Sequence, residues 1–373
     1  MSNLTLILLS AGSSSRFAQD VKKQWLRIGN KPLWQFVADN FKNKGFFSQI
    51  IIVAPKEDLE FMQLYGEYNF VAGGNTRQQS LKNALHKVQT QYTLVSDIAR
   101  ACIGDELLNE ILSLQGCSDC VVPALPLTDT IVYQDETINR DDVKRVQTPQ
   151  LSLTQTLIAA LNTDIEFTDE SSAIVANGGT REFVDGDEDA HKITYPQDLN
   201  KLPCLEAPSE DILSGNGFDV HSFEDGKEMV LGGVKIDSPF GFKAHSDGDV
   251  ALHALIDALL GASGLGDIGM LFPDTDEEYE NIDSKELLQR VVTKIYNFGF
   301  EIINVDITIM AEAPKLKNYK LQMRRVIAKI LQIDDARVNI KATTTEKLGF
   351  IGRKEGVGVL ANANLKYFNW KRI

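Results

Sequence analysis

The chain has 373 residues, too many for one ordinary core and suited to two domains of about 150 to 200 residues each. With 43% apolar and 24% charged residues, 27 Gly and 11 Pro, it has the profile of a globular α/β protein and not of a disordered, collagenous or fibrous one. Its 38 basic and 52 acidic residues leave a formal charge of −14, which speaks against a broad nucleic-acid or membrane surface, so any phosphate must be held by a few local cations.

The first apolar run, residues 4–9, is too short to span a membrane and lacks the basic flank and small-residue cleavage site of a leader, so a soluble, cytoplasmic protein is expected. Strands are expected at 4–9, 49–53, 92–96 and 120–123. Between them, apolar residues recur every three or four positions at 32–44, 77–88 and 105–114, as in helices. This alternation reads as a mostly parallel sheet with crossover helices. The four Cys are too few for a disulfide framework. Cys117 and Cys120 have C-x-x-C spacing, but no second pair completes a metal site, and packing or loop roles are expected for the thiols.

Residues 201–211 contain two prolines and no periodicity, which marks the linker. The expected division is a first domain over 1–205, a joint at 206–211 and a second domain over 212–373. The second half reads as strands near 214–221, 302–311, 338–345 and 356–365, with helices at 249–262, 284–298 and 319–330. That is an α+β plan with helices on one face of a small sheet.

Directly after the first strand comes Leu9-Ser10-Ala11-Gly12-Ser13-Ser14-Ser15-Arg16-Phe17, and soon after it Lys22-Lys23-Gln24. A small-residue loop leaving the carboxyl end of a parallel strand lets backbone N–H groups approach phosphate oxygens, with Arg16 and Lys23 to supply charge. The G-K-[ST] ending of a Walker loop is absent, and alone the run reads equally as a Ser-rich turn beside two surface cations. Five further motifs follow: Gly73-Gly74-Asn75-Thr76-Arg77-Gln78-Gln79-Ser80, Ser96-Asp97-Ile98-Ala99-Arg100, Gln147-Thr148-Pro149-Gln150, Phe167-Thr168-Asp169-Glu170 and His191-Lys192-Ile193-Thr194, with Asp129-Thr130 among them. In this order they resemble the methylerythritol phosphate cytidylyltransferases over nearly all of residues 1–205. The chain departs from that family in having Ser14 where a Gly is usual, in an acidic turn that is not D-A-A-R-P, and in a short stretch between Arg140 and Gln147.

The resemblance implies a Rossmann-like nucleotidyltransferase domain with a mostly parallel sheet and CTP lying over the first loop. Ser10, Ala11, Gly12, Gly74 and Ser80 would hold the nucleoside, with Arg77 also at the substrate. Arg16 and Lys23 would brace the triphosphate and the pentacoordinate α-phosphorus. Lys192 and Arg140 would grip the acceptor phosphate, Asp97 and Thr168 its hydroxyls, and Mg²⁺ or Mn²⁺ would clamp the phosphates. In such chemistry positioning and charge neutralisation carry the rate.

Three of the five His fall in the second half as His221, His245 and His253. Asp219-Val220-His221 puts two metal-competent side chains on one face of an extended segment. His245, Asp249 and His253 are spaced by four and share a face if one helix runs through them. Asp219, His221 and His253 make three ligands, the number a catalytic Zn²⁺ site uses while keeping a fourth position open; a structural site would want four, usually with Cys. Each His taken singly reads equally as a hydrogen-bonded core or cap residue.

Around these residues stand Gly217-Phe218-Asp219-Val220-His221, Leu231-Gly232-Gly233-Val234, Gly264-Leu265-Gly266-Asp267-Ile268-Gly269, Leu271-Phe272-Pro273-Asp274-Thr275-Asp276, Ala313-Pro314-Lys315 and Ala342-Thr343-Thr344-Thr345-Glu346-Lys347-Leu348-Gly349-Phe350. Together they resemble the methylerythritol cyclodiphosphate synthases over residues 212–367, which implies an α+β, ferredoxin-like domain. By that resemblance Asp219, His221 and His253 bind Zn²⁺, and His245 and Ser246 hold the attacking phosphate. Asp267 and Gly269 contact the ribose, and Ala311, Pro314, Lys315 and Leu316 form a cytosine pocket. Thr343 and Thr344 meet the nucleotide phosphate, with His245 and Thr344 as catalytic groups, and Glu346 holds Mg²⁺ or Mn²⁺. Asp274, Thr345, Phe350 and Arg353 complete the implied substrate site, which in that family lies between subunits of a trimer.

The two resemblances imply one chain with two activities of the non-mevalonate isoprenoid route, with a separate kinase acting between them. Trimeric second domains with paired first domains would make a hexamer, with the separate kinase as a further partner. Two other readings stay open at this level: a first domain acting on a pentose or glycerol phosphate, and a first domain that serves only as a binding or assembly module.

Overall fold

The computed structural model describes residues 3–12, 14–244, 246–273, 275–279 and 282–373. The chain forms two compact units, Met1–Pro208 together with Asn369–Ile373, and Ser209–Phe368. None of the described helices is long and apolar enough to cross a membrane.

The main sheet of the first unit is made of β1 (Leu4–Leu9), β2 (Gln49–Ala54), β3 (Asn69–Ala72), β4 (Tyr92–Asp97), β5 (Cys120–Pro126), β6 (Lys144–Val146), β7 (Gln150–Leu153) and β8 (Arg181–Asp185). They pair in the order β6-β5-β7-β4-β1-β2-β3, with β8 beside β5. β1 is buried along its whole length, as befits a central strand covered on both faces. It runs parallel to β2 on one side and β4 on the other, whereas β7 is antiparallel to both β4 and β5. After β1 the chain builds outward through α1 (Leu33–Asn43) to β2 and β3, then returns to the opposite side of β1 for β4. Strand order therefore reverses at β1 and β4, and the crevice beyond their carboxyl ends is where open α/β sheets bind ligands.

Two caps place the helices that border this crevice. Thr76 accepts the Gln79 backbone N–H at 3.1 Å and starts α2 (Arg77–Leu85), while Asp169 accepts that of Ser172 at 3.1 Å and starts α3 (Glu170–Ala176).

Cys102 and Cys204 form a disulfide with their Cα atoms 5.7 Å apart, which corrects the expectation that the thiols only pack or line loops. Their 102-residue separation hid the pairing, since spacing says nothing about contacts made by the tertiary fold. Cys117 is exposed and Cys120 buried, both free. The final segment belongs to this first unit: Trp370 is completely buried, and its indole donates to the Arg27 carbonyl at 2.7 Å.

The second unit contains β9 (Leu213–Asp225), β10 (Phe240–Phe242), β11 (Phe300–Met310), β12 (Val338–Thr343) and β13 (Gly356–Tyr367), paired in the order β10-β9-β13-β11-β12. α4 (Val250–Ser263) lies against β9. Gly215 and Gly217 permit this approach, because a Cβ on either would come within 2.2 Å of the Ala258 carbonyl or 2.1 Å of the Ala254 carbonyl. β12 ends at Thr343, two residues earlier than expected, because Glu346 (φ 52°) and Lys347 (φ 63°) turn the chain through the left-handed region.

The helix expected at 249–262 is α4, so the condition under which His245, Asp249 and His253 would share one helical face, a helix running through all three, is not met. α4 begins at Val250, and Asp249 caps it by accepting the N–H groups of Ala251 and Leu252 at 3.1 Å. The same buried carboxylate accepts Gly232 N–H at 2.8 Å and Gly233 N–H at 2.5 Å, so it organises a turn. His245 and Asp274 lie outside the described residues.

Candidate active sites of the two units

At the crevice of the first unit is a cavity of about 410 Å³, walled by the loop after β1, the start of α2, the turn after β4 and Lys192. Ser10, Ala11, Gly12, Arg16, Lys23, Gly74, Arg77, Ser80, Asp97 and Lys192, all singled out from sequence, line it together. Register explains the convergence: Leu9 pairs with Asp97, so both loops leave the sheet at one level. Ser14 adopts φ 57°, a conformation that glycine reaches at less cost, and its hydroxyl accepts the Lys23 N–H at 3.2 Å. Gly74 N–H donates to Ser80 Oγ at 3.0 Å, and Ser10 Oγ is buried without a partner at the wall of the cavity.

The charged groups form one network. Lys192 Nζ donates to Asp97 Oδ2 at 2.6 Å, and Arg77 Nε and Nη2 donate to Asp97 Oδ1, both at 3.2 Å. Burial alone would raise the Asp97 carboxyl, but Arg77 and Lys192 overcome it and hold the group at about 2. Lys23 Nζ donates to the Ile193 carbonyl at 3.1 Å, and burial, with Lys192 and Arg16 nearby, pushes its ammonium below the ordinary lysine range. Asp198 shapes the segment carrying Lys192 by accepting the N–H groups of Thr194 and Tyr195 at 2.9 and 2.8 Å.

Arg77 reaches the cavity as expected, but its guanidinium is engaged with Asp97 and Glu170. Arg140 and Thr168 are not among the lining residues. Arg140 sits on an exposed turn and donates to the Thr128 carbonyl at 2.9 Å, and Thr168 is exposed just ahead of the Asp169 cap.

The second unit has a cavity of about 620 Å³ lined by Asp219, His221, Ser246, His253 and Gly269, together with Asp257. Asp219 and His221 come from alternate positions of β9 and His253 from α4, and their ligand atoms all lie within 4.8 Å of one another. Asp219 Oδ2 is 3.2 Å from His221 Nδ1 and 3.4 Å from His253 Nδ1. His221 Nδ1 is buried and makes no hydrogen bond. The far nitrogen of His253, Nε2, lies 2.9 Å from Ser284 Oγ, and Ser284 in turn donates to Asp247. A ring whose Nε2–H is held this way presents the Nδ1 lone pair toward Asp219 and His221, the orientation a metal ligand needs. Two nitrogens and one carboxylate at this spacing fit Zn²⁺ with an open position.

Asp267 is exposed and caps the short helix Ile268–Leu271 by accepting Met270 N–H at 2.9 Å. The remaining sequence-derived residues gather elsewhere, where Ala311 N–H donates to the Thr343 carbonyl at 2.9 Å and joins the Ala311–Leu316 segment to the Thr run. Thr344 Oγ1 donates to Glu346 Oε1 at 2.8 Å, Leu316 is buried, and Phe350 is exposed. Arg353 is paired with Glu355 by bonds of 2.8 and 3.0 Å. Glu312, not singled out from sequence, accepts N–H groups of Thr345 at 3.3 Å and Lys347 at 3.0 Å and so braces the turn.

Residues 4–203 match the family model described as 2-C-methyl-D-erythritol 4-phosphate cytidylyltransferase, and residues 212–366 match that of the YgbB family. A Bifunctional enzyme IspD/IspF of Sulfurimonas denitrificans is 66% identical over 99% of this chain and 96% of its own length. The chain belongs to the bifunctional IspD/IspF family. Its Sulfurovum relative of the same name is 55% identical over the full length of both. The solved bifunctional IspDF from Campylobacter jejuni covers 100% of both chains at 47% identity, with a TM-score of 0.92. The first unit is thus a cytidylyltransferase that joins CMP from CTP to 2-C-methyl-D-erythritol 4-phosphate and releases pyrophosphate. The second is a cyclodiphosphate synthase that closes CDP-methylerythritol 2-phosphate to the 2,4-cyclodiphosphate and releases CMP. These assignments set aside the pentose or glycerol phosphate acceptor and the purely structural first domain.

Proposed function

We propose that the first cavity holds CTP against Ser10, Ala11, Gly12, Gly74 and Ser80, with the triphosphate between Arg16 and Lys23. Lys192 then holds the acceptor phosphate and Asp97 the acceptor hydroxyls. The observation that carries this reading is the meeting of Arg16, Lys23, Lys192 and Asp97 on one cavity at the β1/β4 crevice. Little proton transfer is required, so the cations act by holding the attacking phosphate in line and by neutralising charge that grows on the leaving pyrophosphate. Arg140 and Thr168 reach the acceptor only if their loops close on it.

In the second unit Asp219, His221 and His253 hold Zn²⁺ and Glu346 holds Mg²⁺ or Mn²⁺. Bound there, the ions neutralise the diphosphate and polarise the phosphorus under attack, as Mg²⁺ or Mn²⁺ does for the triphosphate of the first site. His245 and Ser246 fix the 2-phosphate against the β-phosphorus, an entropy trap for an intramolecular closure. Thr343, Thr344 and Thr345 grip the nucleotide phosphates, Ala311, Pro314, Lys315 and Leu316 the cytosine, and Gly269 the ribose.

A trimer of second units completes this site. Val220 pairs with Gly358, Gly358 with Met310 and Met310 with Thr343, so the Thr run leaves the metal end of the sheet three strands away. At about 4.8 Å per strand that is roughly 14 Å, too far for one copy to close both halves on a single phosphate. The sheet face opposite α4 carries Phe218, Val220 and Leu360, which are 59%, 43% and 46% exposed, an apolar surface for neighbouring copies to cover.

The test supplies methylerythritol phosphate, CTP and Mg²⁺, then ATP with the separate kinase, and follows pyrophosphate and then CMP. Both products are expected in sequence, with near-stoichiometric zinc in the purified protein. Pyrophosphate without later CMP would remove the second half of the reading.

A further inference from the structure

The cytidylyl cavity leans on a carboxylate that is not one of its walls. Glu170, at the first position of α3, has 0% of its surface exposed, and no sequence motif assigned it a role. Its Oε1 accepts from Arg77 Nη1 at 2.6 Å and its Oε2 from Nη2 at 3.4 Å. The other edge of the same guanidinium meets Asp97 Oδ1, leaving Asp97 Oδ2 to Lys192 at 2.6 Å. A charge so buried is costly unless paired, so the pair with Arg77 is what keeps Glu170 in place. It also divides Arg77 between two carboxylates. An arginine beside one carboxylate alone tends to take both of its oxygens in a fork, which here would draw Asp97 Oδ2 away from Lys192 and from the cavity.

We propose that Glu170 is a positioning residue for cytidylyl transfer: by holding one edge of Arg77 it keeps Asp97 turned toward Lys192 and the acceptor substrate. The inference rests on the reading that Asp97 and Lys192 hold methylerythritol phosphate. CTP is held by the loop after β1 and by Gly74 and Ser80, whereas the guanidinium that Glu170 holds ends on Asp97 beside Lys192, so loss of Glu170 weighs on the acceptor before CTP.

The experiment measures pyrophosphate release by the full-length chain, varying each substrate in turn, for Glu170→Gln, Glu170→Asp and Asp97→Asn. Glu170→Gln is expected to raise the KM for methylerythritol phosphate roughly tenfold while the KM for CTP stays within about twofold. Glu170→Asp, which keeps the charge, should fall between it and the parent. An unchanged acceptor KM in Asp97→Asn defeats the underlying reading of the cavity. A raised acceptor KM in Asp97→Asn with none in Glu170→Gln defeats the positioning role alone. Should Glu170→Gln not fold, Glu170→Asp decides the matter: a rise confined to the acceptor KM supports the proposal, and equal rises for both substrates, or none, overturn it.

Discussion

Lys23 is the residue whose chemistry depends most on its surroundings. Burial disfavours its ammonium, Lys192 and Arg16 add repulsion, and Asp97 and Asp198 offset only part of this, so the group loses its proton below the ordinary lysine value of 10.5. The charge proposed to meet the triphosphate is therefore present at low pH and lost as pH rises through that lowered value. Because kcat/KM reports the free enzyme, its profile for CTP should fall on the alkaline side earlier than an ordinary lysine would allow. Lys23→Arg should abolish that limb, since a guanidinium keeps its proton, and Lys23→Ala should lose about a hundredfold or more in cytidylyl transfer. An alkaline limb unchanged in Lys23→Arg would remove Lys23 from the triphosphate site. Lys23 was legible because its spacing from a small-residue loop is local. Glu170, Ser284 and Glu312 were not, because each acts through a partner 93, 31 or 33 positions away, and a single sequence carries no record of such pairings.

Among the elements, β9 and α4 build the candidate metal cluster of the second unit, one supplying Asp219 and His221 and the other His253. The alternation of Asp219 and His221 was readable from the sequence because strand periodicity is a backbone property. The start of α4 at Val250 was legible too, one residue from the expected 249, but the tie of the Asp249 carboxylate to the Gly232–Gly233 turn was not, because those partners lie 17 and 16 positions away. What holds the two elements at ligand distance is the absence of a side chain at Gly217, whose Cβ would sit 2.1 Å from the Ala254 carbonyl. Gly217→Ala should therefore push β9 away from α4, costing about 1–3 kcal/mol of stability. It should also lower zinc affinity, because Asp219 and His221 move with the strand while His253 does not. Equilibrium unfolding and zinc competition against a chromogenic chelator measure the two effects; native zinc affinity in a destabilised variant would show that the triad does not depend on this contact.

At the scale of the whole molecule, two units were evident from length and from the Pro-containing joint, but chain order misleads about the tail. Asn369–Ile373 follows the last strand of the second unit and yet belongs to the first, where Trp370 is fully buried beside Arg27. Five residues with one tryptophan have no periodicity to interpret, and a terminal aromatic looks the same in sequence whether it is buried or in solvent. Filling this pocket makes the first unit depend on the end of the chain. Trp370→Ala, or removal of Asn369–Ile373, should destabilise the first unit by about 3–5 kcal/mol, the usual cost of emptying a buried tryptophan site. Such a loss is a large share of a domain's typical stability. Thermal unfolding followed by residual activity should then show cytidylyl transfer failing at a lower temperature while cyclisation keeps its parental midpoint. Equal drops in both midpoints would mean that Trp370 supports the two units alike, and no drop in either would mean that its burial adds nothing to the fold.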